Sequence, residues 1–148
     1  LEFRCVLFRS ADNVVPDSAS IAVDVRCVLP EEKDRLEREM AALSATLPGA
    51  RVQVSGGMNR PPLHESMTKE LFAVAQRVAK DFGISNLQGV AVGGGSDGNI
   101  TAAVGVRTLD GLGAVGSGAH AETEQVRLDL MPERAALVAG LVQAIVNG

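Results

Sequence analysis

The sequence feature that most constrains the fold is the stretch of residues 93–120, GGGSDGNITAAVGVRTLDGLGAVGSGAH, which contains nine glycines and ends in a histidine. Glycine reaches positive φ values and lets the backbone approach a ligand closely, and positions with these needs cluster at binding sites. We therefore interpret the stretch as one wall of an active site. The alternative is that its glycines serve only the tight packing of a helix on a strand.

Composition argues against two classes of partner. The chain has 14 basic and 18 acidic residues without a basic cluster, whereas nucleic-acid binding needs a positively charged surface. Aromatic residues make up only 3%, with no Trp or Tyr, so surfaces for stacking single-stranded bases are lacking. No apolar run reaches the roughly 18 residues of a membrane-spanning helix. We expect a soluble chain without nucleic-acid or membrane partners, in the cytoplasm or the periplasm.

The first residues, LEFRCVLFRS, do not match the pattern that follows them. The portion CVLFRS resembles the translation of a common sequencing-adapter oligonucleotide. We therefore assign residues 1–11 to a non-native leader and exclude them from functional argument. The alternative is a genuine strand, because residues 5–8 are apolar.

The next residues predict a strand, a helix and a second strand. Residues 20–28 alternate apolar and polar side chains, which indicates a half-buried strand; Cys27 is then a small buried residue or, alternatively, a reactive thiol. Pro30 opens a helix, Pro48 ends it, and residues 51–55 form the second strand. The apolar positions are Ile21, Val23, Val25 and Cys27 in the first strand, and Leu36, Met40, Leu43 and Leu47 in the helix. These elements suit one half of a ferredoxin-like α/β module.

Residues 56–63 predict a domain boundary, because Gly-Gly and Pro-Pro pairs interrupt helices and strands alike. An amphipathic helix follows and ends at Gly83, the usual left-handed cap residue. Residues 87–92 then indicate a short strand. The apolar face of the helix consists of Met67, Leu71, Val74, Val78 and Phe82.

A glycine turn follows this strand, and either Ser96 or Asp97 can cap a short helix over residues 98–104. A strand, a glycine turn and a helix N-terminus together present backbone N–H groups to an anion. The turn lacks the GK[ST] ending of a phosphate-binding loop and the GxGxxG spacing of a dinucleotide fold. A carboxylate or a polarised carbonyl is therefore the favoured ligand.

His120 closes the glycine-rich stretch and is a candidate metal ligand, with a solvated or packed histidine as the alternative. Residues 106–109 predict one more strand before it, and residues 122–124 predict the start of a helix after it. A last helix begins at Pro132. Its predicted inner face consists of Leu137, Leu141, Ala144 and Ile145.

Five motifs occur in one order along residues 12–148: NVVPDSASIAVDVR, GGMNRPP, GGGSDGN, TLDGLG and GSGAH. In this order they resemble the C-terminal half of the di-zinc metallopeptidases that include glutamate carboxypeptidase, acetylornithine deacetylase, succinyl-diaminopimelate desuccinylase and aminoacylase, with the glutamate carboxypeptidase branch most similar. The resemblance implies an α/β fold. Residues 12–56 would be the second half of a ferredoxin-like lid that forms a homodimer, and residues 57–148 the C-terminal part of a catalytic domain, a mixed sheet flanked by helices.

The same resemblance implies the roles of individual residues. His120 matches the last ligand of a pair of zinc ions, or of other divalent metals in their place. Arg26 matches an arginine that holds the substrate's α-carboxylate, although its strand alone favours a surface arginine that is paired with Asp24 or with no residue. Arg60 matches a second substrate-facing arginine, and Asn13 an asparagine that supports the scissile carbonyl in the partner subunit's site. The loop lining the substrate pocket matches Gly94, Gly95 and Ser96.

In this family the other metal ligands, the bridging aspartate and the general-base glutamate lie in the N-terminal half, so we expect the chain alone to be inactive. His64 matches no ligand, and we expect it to be solvated. The implied function is zinc-dependent, carboxypeptidase-type hydrolysis of the amide bond of N-acyl or peptidyl amino acids, with a C-terminal glutamate favoured. The alternatives are an aminoacylase or deacetylase of the same family, and a non-catalytic dimerising or binding protein on the same scaffold.

Overall fold

The computed structural model describes residues 2–8 and 13–147, and for residues 2–8 it describes the backbone alone. The chain divides into two compact units, Leu1–Pro62 and Leu63–Gly148. This division falls inside the region of residues 56–63 where the sequence is interrupted by glycine and proline pairs. The roles of the two parts as lid and catalytic domain stay predictions.

The first unit contains a two-stranded antiparallel sheet. Strand β1 (Glu2–Phe8) pairs with strand β2 (Ser18–Asp24). Residues 2–8 thus have strand geometry, while the non-native origin of residues 1–11 stays a prediction; residues 1 and 9–11 lie outside the described residues.

The alternation predicted for residues 20–28 is present in part. Val23, Val25 and Cys27 are half-buried, and the intervening residues are exposed. Two details were wrong, because the strand ends at Asp24 and Ile21 is 61% exposed. Among the described residues the sheet has two strands, and so narrow a sheet covers little of each apolar side chain.

Helix α1 (Pro30–Ala41) starts at the predicted proline and carries acidic residues in its first turn, where they face the positive end of the helix dipole. It ends six residues before Leu47, so the predicted end was wrong. Leu43 and Leu47 are 54% and 72% exposed. No buried contact therefore extends the helix to them, and most helical stability in proteins comes from such packing.

The predicted strand at residues 51–55 was also wrong, because these residues have no regular secondary structure. A strand is stable only beside a partner that accepts its backbone hydrogen bonds. Among the described residues of this unit, only β1 and β2 pair in a sheet.

The second unit is dominated by the packing of two helices, α2 (Glu65–Asp81) and α4 (Met131–Asn147). Val78 and Ala79 of α2 meet Leu137 of α4 in the core, and Leu137 is fully buried. Gly140 permits this close approach, because a Cβ there would lie 2.7 Å from Val78 Cγ1 and 2.5 Å from Phe82 Cε2. Between the two helices lie α3 (Gly98–Ala103), the short strands β3 (Gly116–Ser117) and β4 (Gln125–Val126), and a 3₁₀ turn at Leu128–Leu130.

The ends of α2 follow from local chemistry. His64 is its N-cap, and the imidazole Nδ1 accepts a 3.3 Å hydrogen bond from the backbone N–H of Ser66. His64 therefore caps a helix rather than being merely solvated. Gly83 follows the last turn with φ of +71°, which confirms the predicted left-handed end of the helix.

Several predictions for the second unit were wrong. Residues 87–92 and 106–109 are not strands, and residues 122–124 form a turn instead of a helix start. Phe82 and Ile145, expected on inner faces, are 54% and 50% exposed. The common reason is that the described residues of this unit form only the short β3–β4 pair, which gives these segments no larger sheet to pair with or pack against.

Taken together, the described residues combine helices with two small antiparallel sheets, which is consistent with a fragment of an α/β peptidase. The larger mixed sheet expected in the second unit is not formed among these residues. No helix in residues 13–147 is long and apolar enough to cross a membrane.

Candidate functional site

His120 lies at the tip of a short hairpin. Strands β3 and β4 pair Gly116 with Val126 and Ser117 with Gln125, and residues 118–124 connect them. At Gly116 a Cβ would lie 2.3 Å from the carbonyl oxygen of Gln125, so only glycine permits this approach of the strands. The histidine side chain is exposed at the turn, where it is accessible to a ligand.

The backbone of His120 adopts an unusual conformation. Its φ is +66°, and among the described non-glycine residues only Asn86 also has a positive φ. Left-handed backbone costs an L-residue roughly 1–2 kcal/mol relative to the right-handed form, and such residues cluster at functional sites. The neighbouring backbone holds this turn, because Ala121 N donates to Gly118 O at 2.9 Å. The histidine is therefore kept in a strained turn that a glycine would occupy more easily.

The segment that leads into this hairpin is tied to helix α4. Arg134 donates from Nε to the carbonyl oxygen of Gly113 at 2.9 Å and from Nη2 to that of Gly111 at 2.5 Å. Between these two glycines, Leu112 packs against the core cluster that includes Leu137. The residues that precede the hairpin are therefore held by both polar and apolar contacts.

The glycine loop before α3 satisfies its own backbone donors. Gly98 N donates to Ser96 Oγ at 3.1 Å, and Ser96 N donates to Asn99 Oδ1 at 2.9 Å. The next N–H groups, those of Asn99 and Ile100, donate to the carbonyls of Ser96 and Asp97. Asp97, one of the two predicted caps, takes the N-cap position without a side-chain cap hydrogen bond, and all four of these N–H groups have internal acceptors. The expectation that this turn presents unused N–H groups to an anion was therefore wrong for them.

The glycines of this loop differ in what they pack against. A Cβ at Gly98 would lie 3.1 Å from Ser96 Oγ and 3.2 Å from Thr108 Cγ2, whereas a Cβ at Gly94 would meet nothing within 4 Å. Packing thus explains the glycine at position 98. It does not explain Gly94, which faces open space.

The three remaining candidates lie in the first unit and are exposed: Asn13, Arg26 and Arg60. Arg26 Nη2 contacts Asp24 Oδ2 at 3.1 Å, and this hydrogen bond lowers the pKa of the Asp24 carboxyl below its ordinary value. The pairing is the surface arrangement that the sequence left open for Arg26. It does not prevent a role in binding, because an exposed ion pair contributes little free energy in water.

The described residues do not by themselves form a metal site. No group of three or more His, Cys, Asp or Glu side chains converges within residues 13–147. His120 supplies one imidazole, and a catalytic zinc takes three protein ligands. The candidates fall into two sets, with Gly94, Gly95, Ser96 and His120 in the second unit and the other three in the first.

Sequence reasoning missed two residues with clear local roles, His64 as a helix cap and Arg134 as an anchor. The signal for His64 was its place directly before an amphipathic helix. For Arg134 it was the Gly-Leu-Gly triplet at residues 111–113, because a buried leucine between glycines leaves two outward carbonyls in need of a donor.

Comparison with known proteins supplies the remaining finding. The sequence model of peptidase family M20/M25/M40 matches residues 8–144. No curated protein and no solved structure matches the chain.

Proposed function

The chain belongs to peptidase family M20/M25/M40, and from this membership we propose that the full-length protein hydrolyses the amide bond of N-acyl or peptidyl amino acids with a C-terminal glutamate. Proteins of this family are metallopeptidase-type hydrolases and generally depend on a metal ion. The match over residues 8–144 supports a metallopeptidase-type hydrolase in general, and the preference for a C-terminal glutamate rests on the resemblance of the five motifs.

His120 is the residue we assign to the metal, with zinc as the ion. Neutral imidazole is a common zinc ligand, and the exposed turn leaves this side chain accessible. Bound zinc would lower the pKa of a water molecule and polarise the scissile carbonyl. One imidazole does not complete such a site, so we assign the other ligands, a second zinc ion and the general base to the full-length protein outside the described residues.

Arg26 and Arg60 are assigned to the substrate's carboxylates. A guanidinium binds a carboxylate through two parallel hydrogen bonds, which a lysine does not reproduce. Arg26 is exposed, and the side chain beside it is the carboxylate of Asp24. A substrate carboxylate would therefore replace or join a partner of the same chemical kind.

The other assigned residues are Asn13 and the loop of Gly94, Gly95 and Ser96. The amide of Asn13 is a neutral hydrogen-bond donor suited to a developing oxyanion, and we propose that it acts in the partner subunit's site of a homodimer formed through the first unit. The open space beside Gly94 supports placing the substrate against this loop.

Hydrolysis assays of the full-length protein test this function. We expect N-acyl-glutamates to be cleaved faster than N-acyl-lysines, and the activity to disappear with a chelator and return with added zinc. Equal rates for both substrates would overturn the glutamate preference. Activity that persists after complete removal of metal would overturn the metallopeptidase assignment, and no cleavage of any acyl-amino acid would favour the non-catalytic binding protein.

A further inference from the structure

Arg134 holds the backbone that leads to His120, and we infer that it is a positioning residue for that histidine. The inference rests on the proposed role of His120 as a metal ligand. Arg134 lies in the first turn of α4, and both of its hydrogen bonds reach carbonyl oxygens of the loop before the hairpin. Its place in the reaction is therefore indirect, through the orientation of the hairpin.

The contacts at residues 111–113 explain why an arginine suits this place. Leu112 is drawn into the core beside Leu137, and Leu137 lies one helical turn after Arg134 on α4. The carbonyls of Gly111 and Gly113, on either side of the leucine, meet the two arms of one guanidinium. The planar, rigid fork of arginine can donate to two acceptors at once, while a lysine ammonium has no such fixed geometry.

Both ends of the hairpin are thereby fixed to the same turn of α4. Strand β4 leaves the hairpin through the 3₁₀ turn at Leu128–Leu130, which connects directly to α4. Strand β3 begins three residues after Gly113, and Arg127 N extends the pairing with a 2.8 Å hydrogen bond to Val115 O. The outgoing end is joined to α4 by a short stretch of the chain itself. The incoming end is held to α4 by the contacts of Arg134 and Leu112.

Loss of the guanidinium should therefore loosen one end of the hairpin and leave the core in place. The imidazole of His120 would then sample more orientations, and a metal ligand held less firmly binds its ion more weakly. We therefore expect local effects. Backbone amide hydrogens of the hairpin should exchange faster and zinc should bind more weakly, while amide exchange in α2 should not change.

The test is hydrogen exchange followed by mass spectrometry on the chelator-treated full-length protein, with zinc affinity measured in parallel. For Arg134→Ala we expect residues 114–127 to exchange about tenfold faster, because a hydrogen bond from a charged donor is lost at each of two carbonyls. Arg134→Lys should show a smaller change, and the zinc dissociation constant should rise in the same order. The control is Arg107→Ala, which removes an exposed arginine of the same unit paired with Glu70.

Unchanged hairpin exchange in Arg134→Ala would overturn the inference, and so would an equal increase in α2, which would indicate general destabilisation. Faster hairpin exchange with unaltered zinc affinity would also overturn it, because the role would then be structural only. The proposed function is tested separately by His120→Ala, because this variant does not remove the Arg134 contacts. Unchanged zinc affinity in His120→Ala would contradict the role of His120 as a metal ligand.

Discussion

Arg134 Nε donates a 2.9 Å hydrogen bond to the carbonyl oxygen of Gly113, and this bond joins the last helix to the glycine-rich stretch that ends at His120. The glycines of that stretch thus have distinguishable tasks. Gly116 permits the hairpin strands to approach, Gly111 reaches a φ of +74°, and Gly94 faces open space. A single explanation, either ligand approach or helix packing, does not cover all three.

The contact between α2 and α4 depends on the absence of a side chain at Gly140. Gly140→Ala should lower the free energy of unfolding by about 1–3 kcal/mol, because the new methyl group would overlap Val78 and Phe82. Chemical denaturation measures the change. Gly113→Ala is the matched control, since a Cβ there meets nothing within 4 Å; equal stability of the two variants would contradict the packing described for Gly140.

The strained turn at His120 predicts an order of stability among its variants. His120→Gly should unfold at a higher temperature than His120→Ala by the equivalent of about 1 kcal/mol, because alanine keeps the cost of a positive φ and glycine does not. Thermal unfolding followed by circular dichroism compares the two. If His120→Ala is the more stable variant, His120 does not adopt this conformation in solution.

Helix α1 carries a pH-sensitive ion pair between Lys33 and Glu37, whose charged atoms lie 2.8 Å apart. The hydrogen bond from Lys33 holds the pKa of the Glu37 carboxyl below its ordinary value. The pair therefore stabilises the folded state at pH values above the ordinary pKa of the carboxyl. This contribution disappears as the pH falls through the lower pKa of the folded state. Carboxyl titration by NMR should show the pKa of Glu37 rising toward its ordinary value in Lys33→Ala, while that of Glu32, which is lowered by Arg35, stays low. If the pKa of Glu37 in the unmodified chain lies at its ordinary value, the ion pair with Lys33 is not formed in solution.

Exposed apolar side chains predict that the isolated 148-residue chain associates in solution. Val142 and Ile145 on α4 are 55% and 50% exposed, and Leu47 after α1 is 72% exposed. Apolar surface of this kind favours contact with other molecules. We expect concentration-dependent oligomers by analytical ultracentrifugation, reduced in the variant V142E/I145K. A well-behaved monomer with cooperative unfolding would contradict this expectation and also the prediction that the chain is a fragment.

The sequence predicted the helices more reliably than the strands, and the reason is physical. A helix such as α2 forms its hydrogen bonds within one segment, so its end at Gly83 could be predicted from local residues, although its cap at His64 was missed. The segments at residues 51–55, 87–92 and 106–109 have strand-like patterns but no partner among the described residues. A strand is defined by its neighbour, which the local pattern does not reveal.

The candidate site shows the same limit. The sequence suggested His120 and the glycines around it as candidates, but not the guanidinium of Arg134, because that contact joins residues 21 positions apart. The pairing of Arg26 with Asp24 was left open as an alternative because the two residues are only two positions apart in the sequence. Family membership follows from the match over residues 8–144, while the roles of individual residues remain proposals.

The central claim is that His120 binds the catalytic metal, and zinc content and activity of two histidine variants of the full-length protein test it most directly. His120 and His64 are the two histidines of this chain, so His64→Ala is the matched control. We expect His120→Ala to lose bound zinc and more than about 100-fold in the hydrolysis of N-acyl-glutamates, because loss of a ligand exceeds the effect of an outer-shell change. His64→Ala should retain both. Wild-type zinc content and activity in His120→Ala would contradict the claim.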